Sequence, residues 1–336
     1  MVDVGLGQLV ASTGRARSRV MKDATSDSHP LLELMEKHGG ITREDGGRTV
    51  VREAKTGQNG TVTWVGEAGA VSLADQKVID ASEQDWSYLL GSVSFTMAEQ
   101  LKNSGGADTK FIDIVAAKFE VLEDTTTNKL HEGLLSNGTA NGGLQIKGLA
   151  AAVSTTPTSG TYASINRATS GADWFRNQKF DTASDWADGA VDVSNVKRFL
   201  DKGINATTHT AKSMSQIALV GPTHFEALTG ALQAIQTISN TTGVGRGGYQ
   251  SLEYRGIPMV FGGGINYSGF SALTATRTYL LCVKPGGFNL IYHKKAEYEM
   301  LEKIQSSDQA AISRLMFTMC ACTLGALAKF NWVGFD

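Results

Sequence analysis

Cysteine and proline are both scarce in this chain of 336 residues, which has three cysteines and five prolines. The cysteines are Cys282, Cys320 and Cys322. Their odd number and their spacing match neither a disulfide framework nor a metal site, so we expect buried free thiols. That expectation suits a protein made in a reducing compartment.

Excess charge of either sign is also missing, because 31 Lys and Arg residues face 33 Asp and Glu residues, for a net charge of −2. A protein whose main task is gripping nucleic acid needs a pronounced basic excess. The first residues lack the basic start and apolar core of a secretory signal. The most apolar segment, residues 315–327, is too short to span a bilayer. We therefore expect no membrane partner.

Catalytic and cofactor motifs are absent or stand in the wrong context. The chain has no phosphate loop with Gly-Lys-Ser/Thr and no Gly-x-Ser-x-Gly elbow. Gly243, Gly245 and Gly248 match the dinucleotide fingerprint, but a predicted helix precedes them and a predicted strand follows, so we interpret the stretch as a mobile loop. The histidines occur singly in the sequence: His29, His38, His131, His209, His224 and His293. We predict no catalytic residues, no cofactor and no metal.

The dominant feature is a long amphipathic helix that we predict from Asp108, a good N-cap, to Leu135. Its apolar residues recur at spacings of three, four and seven, which keep them on one face. Asn137 and Gly138 favour its end, since both tolerate a left-handed backbone. Unbroken, it would be roughly 40 Å long. Three threonines at 125–127 are poor helix formers and favour a kink midway.

The residues at the end of this helix and in the segment after it resemble those of a known protein family. The residues concerned are Ser136-Asn137-Gly138-Thr139, Gly148-Leu149, Ile165-Asn166-Arg167 and the run Trp174-Phe175-Arg176-Asn177. In this order they resemble the major capsid protein family of tailed bacteriophages, whose fold is also used by encapsulin shells. The resemblance implies an α+β protein with the phage major-capsid fold: an N-terminal arm, an extended β-loop, a long spine helix, a peripheral domain and an α/β axial domain.

We expect these parts to divide the chain into an arm (1–56), an extended loop (57–90), a peripheral domain with the spine helix (91–145 and 290–336) and an axial domain (146–289). The arm is predicted to pack poorly, apart from a short helix after Pro30. Residues 61–65 and 86–95 alternate like strands. The polar stretch between them is either a disordered excursion or a two-stranded arm lying on another molecule, and the resemblance favours the second interpretation.

The resemblance further implies a non-enzymatic subunit that self-assembles through hexamers and pentamers into an icosahedral virion shell around a phage genome, built in the host bacterial cytoplasm. Implied partners are other copies of the chain, packaged double-stranded DNA held by weak non-specific contact, a portal and a scaffolding protein. We expect a separate scaffolding chain because no large extra segment precedes the arm. Two alternatives remain open: an encapsulin-like compartment shell, and a soluble α/β enzyme.

The candidate intersubunit contacts lie in the extended loop and are Trp64, Glu67, Lys77 and Trp86. Some family members join a loop lysine to an asparagine of a neighbour. Lys77, the only lysine between Trp64 and Trp86, is the candidate for such a bond here.

Overall fold

A computed structural model describes residues 29–67, 69–74, 77–102, 114–208, 215–233, 251–261, 276–302, 304–305 and 311–336. The helices are α1 (Pro30–Lys37), α2 (Met97–Lys102), α3 (Ile114–Leu135), α4 (Ala140–Gly143), α5 (Leu149–Ala152), α6 (Thr182–Asp185), α7 (Val196–Thr207) and α8 (Pro222–Gln233), with 3₁₀ turns at Asp173–Phe175 and Ala328–Phe330. The strands are β1 (Ile41–Glu44), β2 (Thr49–Lys55), β3 (Ile79–Asp85), β4 (Ser87–Thr96), β5 (Thr161–Tyr162), β6 (Ile165–Asn166), β7 (Gln178–Asp181), β8 (Ile217–Val220), β9 (Ser251–Tyr254), β10 (Ile257–Phe261), β11 (Arg277–Leu281), β12 (Asn289–His293), β13 (Glu299–Met300), β14 (Ile304–Gln305), β15 (Ala311–Thr323) and β16 (Trp332–Phe335).

The first sheet is built around β15, the longest of the strands described. One edge of β15 pairs antiparallel with the whole length of β4, from Ala311 opposite Thr96 to Cys320 opposite Ser87. Its other edge pairs with β12, β13 and β14, and β1 adds to β12 in parallel. The short strand β1 brings residues of the expected arm into the body of the molecule.

The long helix α3, which we call the spine helix, packs on one face of this sheet. A Cβ on Gly91 of β4 would lie 2.6 Å from the Leu122 side chain, so glycine allows the close approach. The helix runs unbroken through its three threonines, so these poor helix formers do not kink it. Each hydroxyl donates to the carbonyl four residues earlier, at 2.6, 2.7 and 3.0 Å, so the polar groups are satisfied within the helix. The expected start at Asp108 lies outside the described residues.

The helix ends as expected, and the residues that follow close the turn tightly. Gly138 has a φ of +78°, and a Cβ on Gly148 would overlap the Leu134 carbonyl oxygen. Arg167 is buried, with its guanidinium 5.6 Å from the Tyr162 ring centroid, and it donates to the carbonyls of Ala151 (3.1 Å) and Ala152. These residues of the recognised motif therefore hold the exit of the spine helix onto the body.

The second sheet has the strand order β7-β16-β11-β8-β10-β9 within the described part of the chain. It is covered on both faces, because successive residues of β8 point alternately into two different apolar clusters. Helices α7 and α8 cover one face, so this lobe combines helices with a sheet, as the resemblance implies.

Two expectations about packing were wrong. The last strand, β16, was expected beside the spine helix, but it lies in the second sheet between β7 and β11. Its buried residues Trp332 and Val333 find apolar partners on both faces there. The described part of the arm is also well packed beyond the expected helix α1, because β1 pairs with β12 and β2 buries Val50 and Ala54.

The four-part division of the chain remains a prediction. None of the helices in the described ranges is long and apolar enough to cross a membrane.

Candidate intersubunit surface

The expected extended loop is a β-hairpin made of β2 and β3. The two strands pair antiparallel from Thr49 opposite Asp85 to Lys55 opposite Ile79, and the Thr56 amide donates to the Val78 carbonyl just beyond them (2.9 Å). We call residues 57–77 the hairpin tip. The described residues of the tip form neither helix nor strand.

The predicted strand at residues 61–65 was wrong, whereas the predicted strand at residues 86–95 is confirmed from Ser87 onwards. That second stretch is part of β4, whose ladder is taken up by β15. Among the residues that the structure describes, no strand pairs with residues 61–65 to form a ladder of backbone hydrogen bonds. Alternation of side chains showed the preference for extended backbone, but the pairing depends on residues more than 200 positions away.

The base of the hairpin is anchored to its own chain. Val50 of β2 and Trp86 pack with Ile291 and Ala321 of the first sheet. The Ser82 hydroxyl donates to the Leu324 carbonyl at 2.7 Å. The hairpin therefore leaves the body from a fixed base, which sets the direction of the tip.

The tip itself carries large apolar side chains in solvent. Trp64 is 102% exposed, Leu73 97% and Val62 82%, and Val65 and Val71 are about half exposed. Monomeric soluble proteins seldom expose apolar groups of this size close together unless the surface binds something. The tip is the part of the described chain with the strongest signature of an interface.

The four candidate contact residues lie in two different environments. Trp64, Glu67 and Lys77 lie exposed in the tip. Trp86 is only 7% exposed, since its indole packs under the base of the hairpin and its Nε1–H donates to the Gly47 carbonyl at 3.0 Å. Trp86 is therefore a core residue of its own chain, and its proposed contact with a neighbour is withdrawn.

Lys77 is paired within its own hairpin. Its Nζ lies 3.1 Å from Asp80 Oδ2, and its side chain is 74% exposed. An exposed ion pair of this kind contributes little to stability. The lysine–asparagine bond suggested by the family stays a prediction.

A second exposed apolar surface lies on the first sheet, on the face opposite the spine helix. Tyr88 and Leu90 of β4 are each more than half exposed on this face. The Tyr88 ring stacks on Phe317 of β15, with ring centroids 6.0 Å apart. The molecule thus presents two different apolar surfaces, the hairpin tip and this outer sheet face.

Histidines that look single in the sequence have close partners in the fold. His224 places Nδ1 2.9 Å from the Thr278 hydroxyl and Nε2 3.2 Å from an Asp336 carboxylate oxygen. The order Thr–His–Asp is that of a nucleophilic triad, but Thr278 is fully buried and no substrate can reach it. Burial lowers the pKa of His224 more than Asp336 raises it, so the ring stays neutral and structural.

Sequence reasoning also missed a stacked pair formed by His29 and His131, which are 102 positions apart. No local signal marks such a pair. Within the ranges that the structure covers, no group of three or more His, Cys, Asp or Glu side chains is arranged to hold a metal ion. Burial raises the pKa of both Cys320 and Cys322, which makes these thiols inert, as expected. The glycine fingerprint at 243–248 lies outside the described residues.

The fold defined by these elements is the one seen in solved phage capsid and encapsulin structures. It combines a spine helix on a long-stranded sheet, a projecting β-hairpin before that helix, and a second α/β lobe.

Among solved structures, the capsid of cyanophage A-1(L) matches with a TM-score of 0.69 at 15% identity over 96% of each chain. The capsid of a native GTA particle matches with a TM-score of 0.58 at 12% identity over 99% of this chain and 97% of the other. The SrpI encapsulin of Synechococcus elongatus PCC 7942 gives 0.57 at 13% identity over 100% and 95%. No family model and no curated protein matches the sequence.

Proposed function

We propose that the protein is a structural subunit of a closed icosahedral shell, a phage major capsid protein that encloses the viral genome. The observation that carries this proposal is the apolar hairpin tip on a fixed base. Trp64 and Leu73 stand almost completely in solvent while the strands below them are anchored to the body. Such a tip gains its stabilisation by covering a second copy.

A shell needs heterologous contacts, in which one surface of a subunit meets a different surface of the next. The hairpin tip and the outer sheet face with Tyr88 and Leu90 are two such surfaces, and both are exposed at once in a single chain. Many weak contacts of this kind add through effective concentration once a ring begins to close. The proposed function therefore rests on assembly, with no catalytic step.

The remaining parts of the proposal go beyond the fold itself. The capsid-fold neighbours favour a structural protein over an enzyme. They also favour a location in the virion. We propose that the subunits form hexamers and pentamers and assemble in the host bacterial cytoplasm. The proposed partners are a separate scaffolding protein, a portal and packaged double-stranded DNA held by weak non-specific contact. The net charge of −2 suits weak rather than tight contact with DNA.

The first test shortens the hairpin and leaves its base intact. Residues 57–77 are replaced by Asn-Gly, a pair that suits a tight two-residue connection between antiparallel strands. Cutting as far as Asp85 would also remove β3 with its buried Ser82 and Gln84, and so confuse folding with assembly. We expect the shortened chain to keep the wild-type free energy of unfolding and to form no closed shells by electron microscopy. Closed shells at wild-type yield would contradict the role given to the tip.

A milder test changes only side chains. The double variant Trp64→Ser/Leu73→Ser removes two exposed apolar groups, and Leu144→Ser, at a residue 77% exposed outside the tip, is the matched control. Loss of one interface anchor typically costs at least ~2 kcal/mol, or roughly thirtyfold in affinity. We expect the protein concentration needed for assembly to rise at least that much for the double variant and to change little for Leu144→Ser. Equal behaviour of the two variants would refute the contact.

The alternative of an encapsulin-like compartment is kept because the SrpI encapsulin shares the fold over the whole chain. Purified particles separate the two functions by their contents. Packaged DNA supports the capsid, whereas a captured protein cargo without DNA supports the compartment.

A further inference from the structure

The stacked pair of His29 and His131 joins two elements that are distant in the chain. His29 immediately precedes α1, and His131 lies in the last part of the spine helix. Their ring centroids are 4.4 Å apart and the ring planes meet at 27°. His131 is 3% exposed. The arm and the spine helix therefore meet through two groups that titrate near neutral pH when they are in water.

The hydrogen bond of His29 fixes where its proton lies. Its Nε2 is 2.6 Å from Asn128 Oδ1, and since an amide oxygen only accepts, Nε2 donates. A neutral ring then keeps its lone pair on Nδ1. This nitrogen is buried and has no hydrogen-bond partner among the residues that the structure describes. A proton placed there would be a buried charge without an acceptor.

Burial and, less strongly, positive charge on His29 together lower the pKa of His131 to about 3. The charged neighbours on the spine helix, Lys129 and Glu132, pair with each other at 2.5 Å. On the side of the first sheet, burial raises the pKa of Tyr298, so this hydroxyl near Thr127 stays neutral. On α1, Glu33 lies one turn after His29.

We propose that the His29–His131 pair is an acid-sensitive latch, which holds α1 against the spine helix while both rings are neutral and releases it when they take up protons. The proposal concerns this chain alone and does not rest on the shell function. The docked state disfavours protonation of His131, whereas the undocked ring titrates at its ordinary pKa of 6.5. Docking is therefore fully stable above about pH 6.5 and weakens as the pH falls towards 3, by up to about tenfold for each pH unit.

The test is hydrogen exchange of the full-length chain at pH 7.5 and pH 4.5, corrected for the intrinsic pH dependence of exchange. The amides of residues 33–38, which donate hydrogen bonds within α1 from Glu33 onwards, report on this helix, and those of β8 serve as an internal reference. Between these two pH values we expect the protection of α1 to fall by about two orders of magnitude in the wild type. The protection of β8 should change much less, since its four residues are buried in the second sheet.

The variant His131→Phe keeps an aromatic ring that cannot be protonated, so α1 should stay protected at both pH values. His38→Phe, at the other end of α1, is the matched histidine control and should retain most of the wild-type loss. The latch is refuted if wild-type α1 is as protected at pH 4.5 as at pH 7.5, or if His131→Phe loses protection as the wild type does. Should His131→Phe fail to fold, His29→Phe tests the other ring: a reduced pH dependence supports the latch and an unchanged one overturns it.

Discussion

The helix α1 and the hairpin tip lie in the two parts of the chain, the arm and the extended loop, that are rich in glycines and charged residues. The structure gives them opposite environments. Leu31 and Met35 of α1 are buried within their own chain, whereas Trp64 and Leu73 of the tip are in solvent. Periodicity explains the difference. The apolar residues of α1 recur at helical spacing and so share one face, while those of the tip belong to no regular element.

This contrast separates what holds a subunit together from what holds subunits to one another. Full burial of an aliphatic side chain contributes about 1.5–3 kcal/mol, so α1 adds directly to the stability of the isolated chain. The tip adds nothing to that stability until a second surface covers it. The tip is therefore expected to depend on assembly for its stabilisation, whereas the described part of the arm belongs to the folded body.

The largest expected effect comes from truncating one apolar side chain in each segment. Met35→Ala removes a fully buried side chain from the core and should lower the free energy of unfolding by about 2–5 kcal/mol. Leu73→Ala removes a group that is 97% exposed and should change it by less than about 0.5 kcal/mol. Denaturant unfolding of disassembled subunits measures both. Similar losses in the two variants would mean that the tip packs on its own body.

A smaller effect is expected from adding one methyl group in each region. A Cβ on Gly40, just after α1, would lie 3.1 Å from the Val283 side chain and 3.2 Å from the Met35 carbonyl, so Gly40→Ala should cost about 1–3 kcal/mol. A Cβ on Gly66 in the tip would meet nothing within 4 Å. Gly66→Ala should therefore leave the free energy of unfolding unchanged. An equally stable Gly40→Ala variant would show that the chain after α1 is loosely packed.

Local patterns in the sequence were sufficient to predict the elements that are determined by nearby residues. The end of the spine helix at Leu135 and the short helix after Pro30 follow from apolar spacing and from residues that end or begin helices. The resemblance supplied the order of elements, and the structure gives a physical reason for its residues, since Gly148 and Arg167 close the exit of the spine helix.

The pairing of segments that are distant in the chain could not be predicted from the sequence. Residues 61–65 and β4 alternate in the same way, but only β4 has a partner, and that partner is β15 near the other end of the chain. The same limit hid the contact between His29 and His131 and the burial of Trp86. A side-chain pattern indicates which backbone conformation a segment prefers, and distant residues decide what covers it.

The smallest expected effect comes from a comparison of Trp64 and Trp86, which the sequence analysis predicts to have the same role as intersubunit contacts. Trp86→Phe removes the hydrogen bond to the Gly47 carbonyl and leaves a smaller ring under the hairpin base, so the free energy of unfolding should fall by about 1–2 kcal/mol. Trp64→Phe changes a residue that makes no comparable contact in its own chain and should have no effect on that quantity. The roles should reverse in assembly, where Trp64→Phe weakens shell formation because an indole covers more surface than a phenyl ring. If Trp86→Phe instead impaired assembly without lowering subunit stability, the hairpin base would belong to the interface as well, and the boundary between folding and assembly would lie below the tip.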